Sequence, residues 1–352
     1  MAILQYKGVG ITALSGAVPR RIVDNLNYTT QFGAAEVRDV VDKIGVYQRR
    51  FADAATCSSD LCYAAAEQLI RDNSVDRSEI DVLLFISQTP DYRMPATSVL
   101  LQHRLGLNQE CMAFDINLGC SAFLYGMSVA FSLLQQPGIR KALILDGETR
   151  SKVYSAKDRR TAFLFGDAGV AALVERNPLF GDSFFSFHSD GSKEDLIKIP
   201  AGGYRNPSSE DTLREKTVDE FGNIRTDEQG YMNGGDVFNF VIRSVPADIK
   251  VVMQVAELTD QQVDFYVFHQ ANKFINDYLA RKLKLDHSKL PSTIQHFGNT
   301  SSVSVPLTIV TELHDQFEKE RTMVLSAFGV GMTWATATIH QPFLRVSKLI
   351  EI

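Results

Sequence analysis

Short apolar runs alternate along the chain with longer helical patterns. IDVLLFIS (80–87), KALILDG (141–147), GVAALVE (169–175), VDFYVFH (263–269) and TMVLSAFG (322–329) are apolar on both faces. Such runs predict the strands of a largely parallel sheet that helices cover on both sides. LCYAAAEQLIRD (61–72), SVLLQHRL (98–105) and NKFINDYLARKLKL (272–285) read as helices, the last with Ile275, Leu279 and Leu283 along one face. LGCSAFLYGMSVAFSLLQ (118–135) is apolar all the way round, which predicts a buried helix, stopped by Pro137-Gly138.

The pattern also repeats. NSVDRSEIDVLLF (73–85) parallels AELTDQQVDFYVF (256–268), and LQHRLGL (101–107) parallels LARKLKL (279–285). NLGCSAF (117–123) corresponds in position to HFGNTSS (296–302), and RKALILDG (140–147) to RTMVLSAF (321–328). All four pairs keep the same order at an offset near 180 residues. The expectation is a duplicated α/β unit, with an N-terminal half over 1–176 and a C-terminal half over 177–352. A polar, glycine-rich segment near 190–235 interrupts the second half and predicts a lid or a surface excursion.

With 352 residues the chain can bury a large core. Its formal net charge of −6 offers no general attraction to phosphates, which argues against nucleic acid as the main ligand. No stretch approaches the ~20 apolar residues of a membrane span, and the N-terminal residues lack a signal-type apolar core. A soluble, cytoplasmic protein with no membrane partner is therefore expected. The cysteines at 57, 62, 111 and 120 show no zinc spacing and form no disulfide framework, so reduced thiols and no metal are expected.

Candidate chemistry lies at Cys120, His269 and Asn299. Gly119 allows a sharp strand-to-helix turn before Cys120, and a helix N-terminus there would lower the thiol pKa and aim the Cys120 N–H at an acyl oxygen. His269 stands where a strand leaves its sheet, and Asn299 lies between Gly298 and Thr300. Each alone has an ordinary explanation: a structural thiol, a hydrogen-bonded core histidine, a turn asparagine. The repeat shifts that balance, because it puts Cys120 and Asn299 at equivalent turns facing one centre. Cys57, Cys62 and Cys111 lack such a turn and are expected to be structural.

These residues carry a resemblance to β-ketoacyl-acyl carrier protein synthase III, of the thiolase superfamily, over nearly the whole chain. The matching pieces are AFDINLGCSAFLYGMSVA (113–130), DRRTAFLFGDAGVAALVE (158–175), HSDGSKEDLIKIP (188–200), FHQAN (268–272), FGNTSSVSVPLTI (297–309) and AFGVGMTW (327–334). The resemblance implies a thiolase-like α/β fold, two duplicated halves in five layers, α-β-α-β-α. It implies an acyltransferase in which Cys120 takes an acyl group from a thioester, usually of coenzyme A. A malonyl thioester on acyl carrier protein then loses CO2, and its carbanion attacks the acyl group in a decarboxylative Claisen condensation. By similarity, His269 and Asn299 donate hydrogen bonds to the malonyl thioester oxygen. Backbone N–H groups of Cys120 and near Val330 would hold the acyl oxygen.

Other positions carry over by the same likeness. Arg159 matches an arginine at the nucleotide end of coenzyme A, and Asn272 a pantetheine-side asparagine. Met94 matches a gate residue contributed across a homodimer, with core packing as its plain alternative. Arg281, Lys282 and Lys284 match or extend a basic patch that receives acyl carrier protein, although a solvated helix face would hold the same charges. No cofactor is expected to stay bound; acyl-CoA and acyl-carrier thioesters are substrates.

Some positions depart from the family pattern. Asp39 stands where the family has an adenine-stacking tryptophan, Val330 replaces a glycine, and Asn239 and Phe274 stand where basic docking residues are common. Such departures suit a member moved from fatty acid synthesis to a specialised, for example polyketide, pathway. Two other functions fit the same residues: acyl transfer to an alcohol or amine with His269 as base, or a non-catalytic partner subunit of a paralogue.

Overall fold

Runs that are apolar on both faces become the inner strands of two sheets in the computed structural model, which describes residues 3–28 and 31–352. In chain order the first strands are β1 (Ile3–Lys7), β2 (Val9–Val18), β3 (Ile80–Ile86), β4 (Met112–Ile116), β5 (Lys141–Thr149) and β6 (Asp167–Arg176). There follow β7 (Asp182–Ser189), β8 (Phe265–Phe268), β9 (Arg321–Gly329), β10 (Thr333–Gln341), β11 (Arg345–Val346) and β12 (Ile350–Glu351). One sheet runs β11-β2-β6-β5-β3-β4, with β12 also on β2; the other runs β1-β7-β10-β9-β8. The order β2-β6-β5-β3 in one matches β7-β10-β9-β8 in the other, as the sequence repeat predicts.

The first sheet is mixed, with β11 and β12 also parallel to β2, and the second is mostly antiparallel, which corrects the expectation of a largely parallel sheet. β3 pairs in parallel with β4 and β5, and β8 with β9. β6 lies antiparallel to β5 and β2, and β10 lies antiparallel to β9 and β7. The strands overlooked in the sequence, β2, β7 and β10, take part in most of the antiparallel pairs; the pairing of β5 with β6 joins two strands that were read from sequence in the wrong direction. Segments at the two ends of the sequence also change places: β1 joins the sheet of the second half, and β11 and β12 join the first. Ile352 N–H donates to Val18 O at 3.0 Å, and Arg20 N–H to Ile352 O at 2.7 Å.

Helices α1 (Ser58–Asp72) and α2 (Thr97–Arg104) pack on the outer face of the first sheet. Helix α3 (Ala122–Leu134) lies between the sheets. Helices α4 (Gly234–Val255) and α5 (Lys273–Leu283) cover the second sheet, and α6 (Ser304–Glu312) returns to the central layer. The result is five layers, α-β-α-β-α. The central core explains why α3 is apolar all round: Phe123, Leu124, Met127, Phe131 and Leu134 are at most 1% exposed, among strands of both sheets. Each such side chain contributes roughly 1.5–3 kcal/mol by burial.

The polar segment after β7 is neither strand nor long helix. It folds as a 3-10 turn (Gly191–Leu196) and two short ribbons, Ile197–Lys198 with Tyr231–Met232 and Lys216–Thr217 with Ile224–Arg225. Ile197 and Met232 reach the cavity described below, so part of this segment is a roof. Among the described residues no helix is long and apolar enough to cross a membrane.

Candidate active site

Cys120 sits two residues ahead of α3, His269 directly follows β8, and Asn299 lies in the loop before α6. All three are buried, at 5%, 2% and 5% exposure. Backbone bonds fix two of them. His269 N–H donates to Ser326 O on β9 at 2.8 Å. Asn299 N–H donates to Leu164 O at 2.9 Å, and Asn299 O accepts from Gly166 N–H at 3.1 Å.

What joins them is Ser301, whose φ of +57° is uncommon for a residue with a side chain. Its N–H donates to Asn299 Oδ1 at 2.9 Å, its Oγ lies 3.6 Å from Cys120 Sγ, and its backbone meets the His269 ring. With Oδ1 so occupied, Asn299 turns its Nδ2 group toward the cavity wall, where it donates to Ala271 O at 3.3 Å. His269 Nδ1 lies 2.7 Å from Ser304 Oγ, which also accepts from Gln270 N–H at 3.1 Å. Neither serine was singled out from sequence. Ser301 and Ser304 stand within FGNTSSVSVPLTI, but only the fold shows which neighbours they touch.

Two glycines let the backbone close on the thiol. A Cβ at Gly329 would lie 2.7 Å from Cys120 Sγ. A Cβ at Gly119 would lie 2.8 Å from Val330 Cβ, so this glycine serves a close approach. The Val330 backbone, in turn, lies near enough to the Cys120 sulfur to favour its thiolate.

The electrostatics correct one expectation. The Cys120 thiol is pushed up, not down: burial is the largest effect, and Arg150, Ser301 and the Val330 backbone oppose it only in part. His269 is lowered from 6.5 to about 3, first by burial and further by Arg150, against an opposing contact with the Ser301 backbone. The ring is therefore neutral at any ordinary pH.

His269, Asn299, Gly329 and Val330 line one cavity, together with Asn272, Arg150, Ile197 and Met232. Asn272 also caps α5, its Oδ1 accepting from Ile275 N–H at 2.8 Å. A larger groove of about 550 Å³ opens beside Gly45, Lys273 and Leu290, but none of the three reactive side chains borders it. Size does not mark the site here.

The remaining predicted residues lie outside this cavity. Arg159 forms an ion pair with Glu36, and its guanidinium sits 5.6 Å over the Phe221 ring. Met94 is 77% exposed, which overturns core packing as its explanation. Arg281, Lys282 and Lys284 are exposed at the C-terminal end of α5, where Lys282 Nζ donates to Ile242 O at 2.9 Å. Asp39, Asn239 and Phe274 are exposed as well.

Arg150 is the further group that sequence reasoning passed over. It follows β5, is 4% exposed, and reaches Gln88 Oε1 at 3.3 Å and Tyr154 OH at 2.9 Å. A cation directly after the apolar strand KALILDGET was a readable signal, since strand ends border clefts.

Comparison with known proteins agrees with this geometry. Family models match twice: 3-oxoacyl-(acyl-carrier-protein) synthase III over residues 114–191, and its C-terminal part over 253–341. The β-ketoacyl-(acyl-carrier-protein) synthase III of Caldanaerobacter subterraneus is 31% identical over 94% of this chain and 97% of its own length. The crystal structure of a 3-oxoacyl-(acyl-carrier protein) synthase from Burkholderia xenovorans superposes with a TM-score of 0.93, at 36% identity, over 100% of this chain and 99% of that one. The priming β-ketosynthase of a polyketide biosynthetic pathway, at 24% identity and a TM-score of 0.81 over 96% of this chain and 97% of its own, shares the fold. With both family models matched around Cys120, His269 and Asn299 and relatives of 31% and 36% identity over nearly the full length, the chain belongs to the 3-oxoacyl-(acyl-carrier-protein) synthase III family, acyltransferases of the thiolase fold.

Proposed function

We propose that this protein condenses a Cys120-bound acyl group with a malonyl thioester on acyl carrier protein, releasing CO2 and a β-ketoacyl thioester. The observation that carries the reading is the neutral His269, held at a pKa of about 3 beside the oriented amide of Asn299. In the first step the acyl carbon bonds to Sγ, its bond to the coenzyme A sulfur breaks, and the thiol proton ends on the departing thiol. In the second, the malonyl carboxylate leaves as CO2 and its electron pair delocalises onto the thioester oxygen.

Ser304 Oγ accepts from Gln270 N–H, and in the proposed tautomer its hydroxyl proton goes to His269 Nδ1, leaving the ring proton on Nε2. Nε2–H and the Asn299 amide then stabilise the enolate without supplying a proton that would quench it. The enolate carbon attacks the acyl carbon, and the Cys120 thiolate departs toward Val330 N–H and Arg150. A ring so hard to protonate is a poor base for an alcohol or amine, so transfer to oxygen or nitrogen is the weaker reading.

The primer arrives on coenzyme A, with Asn272 along the pantetheine and Arg159 toward the nucleotide; Arg281, Lys282 and Lys284 receive the carrier protein. The working form is a cytoplasmic homodimer of two-half subunits (1–176 and 177–352), with Met94 facing the partner. Its exposure, and that of Tyr92, Val99 and Met112 near the open edge of β4, supports this.

The test is release of labelled CO2 from a carboxyl-labelled malonyl carrier thioester in the presence of acyl-CoA. Asn299→Ala should lower release about 100-fold, as expected for one lost oxyanion donor, while Cys120 still takes up acyl label. Acyl uptake on Cys120 with no CO2 release by the unmodified protein would reject condensation.

A further inference from the structure

Arg150 reaches beyond the thiol that it faces in the reaction above. Its guanidinium borders the cavity of His269 and Asn299 and also an adjoining space of about 220 Å³, lined with Gln88, Asn117, Ile199 and Val330. Gln88 Oε1 lies 3.3 Å from where a Gly119 Cβ would stand, so this space opens beside the turn that carries Cys120. An acyl chain on Sγ that leaves the turn on this side would enter it.

The arginine has no carboxylate in direct contact, although Glu148 nearby helps to hold its charge. Tyr154 and Phe165 stack on each other at 4.0 Å, and the guanidinium sits 5.4 Å and 5.6 Å from their rings. Its polar partners are neutral: Tyr154 OH at 2.9 Å and Gln88 Oε1 at a long 3.3 Å, with Nε buried and unpartnered. Glu148, the carboxylate that most influences it, spends its oxygens on Gln88 N–H at 3.0 Å and Thr89 Oγ1 at 2.9 Å. Lys198, also at this space, is engaged by Asp195 at 2.9 Å. The buried Nε–H lacks a partner, and an alkyl primer laid against the guanidinium would leave it without one. A planar, preorganised fork is the geometry that binds a carboxylate well.

We propose that the acyl group taken up by Cys120 ends in a carboxylate, arriving as the coenzyme A monothioester of a dicarboxylic acid, and that Arg150 pairs with the free carboxylate. This rests on Cys120 being the acyl acceptor. The covalent step is the thioester exchange given above, and the distal carboxylate takes no part in it.

The experiment is intact-mass kinetics of Cys120 acylation with succinyl-, glutaryl- and adipyl-CoA against chain-matched butanoyl-, pentanoyl- and hexanoyl-CoA. At least one dicarboxylic thioester should acylate faster than its matched partner by roughly 100-fold, and Arg150→Met should erase most of that ratio. Gln88→Leu should lower the same ratio less and serves if Arg150→Met does not fold. A change of thiol reactivity alone would scale both series equally, so an unchanged ratio overturns the proposal. So does faster acylation of the unmodified protein by the monocarboxylic series, which leaves the condensing function intact. Absence of label from every thioester, with no loss of mass increase on Cys120→Ala to observe, overturns the acyl-acceptor reading and this proposal with it.

Discussion

His269 is buried to 2% exposure, and its pKa of about 3 is set first by desolvation and then by the neighbouring Arg150. That shift has a consequence for stability. Between about 6.5 and 3 the unfolded chain binds a proton that the folded ring refuses, so stability falls as pH falls across that window. At full slope the effect is roughly 1.4 kcal/mol per pH unit. Asp146, Glu148 and Asp167 are raised by burial and act with the opposite sign, but they do so equally in a His269 variant. Thermal melts of His269→Asn should therefore lose less Tm than the unmodified protein on acidification from pH 6.5 to 4. Parallel curves would mean that the ring titrates normally in the fold. That Cys120, His269 and Asn299 converge was legible, because each ends an apolar run beside small residues and the repeat points them at one centre. The raised thiol was not, since burial is a tertiary quantity that outweighs any local turn or helix end.

Among the elements, long apolar runs announced themselves and strands of small or mixed residues did not. β10 reads TWATATIHQ and β2 reads VGITALSGAV; alternating Ala, Thr and Gly give little periodic contrast, although both strands are almost wholly buried. Missing them led directly to the expectation of parallel sheets. β4 is the edge of its sheet, and its first residue Met112 is 46% exposed, near Val99 at 47% on α2. An open edge beside exposed apolar side chains is a pairing surface. Met112→Asp should shift the proposed dimer toward monomer in analytical ultracentrifugation, with the monomer's secondary structure unchanged by circular dichroism. A variant that sediments like the unmodified protein would place the subunit contact elsewhere.

At the scale of the molecule, the repeat was legible because its offset is constant, yet the exchange of end segments was not: β1, β11 and β12 are too short to show where they pair. The two halves share one central core, to which α3, α6 and strands of both sheets contribute. Residues 1–176 expressed alone would expose the inner face of α3 and leave β1 without β7. That fragment should bind a hydrophobic dye strongly and show no cooperative melt; a sharp transition like that of the whole protein would make the halves independent domains.

The exchange also orders events during synthesis. β2 leaves the ribosome early, but the strands that cover its free side, at residues 345–351, are translated long after it. Through most of elongation the nascent chain thus carries a bare ribbon of amide groups, open to any passing polypeptide, and its final closure has to await translation of the far end.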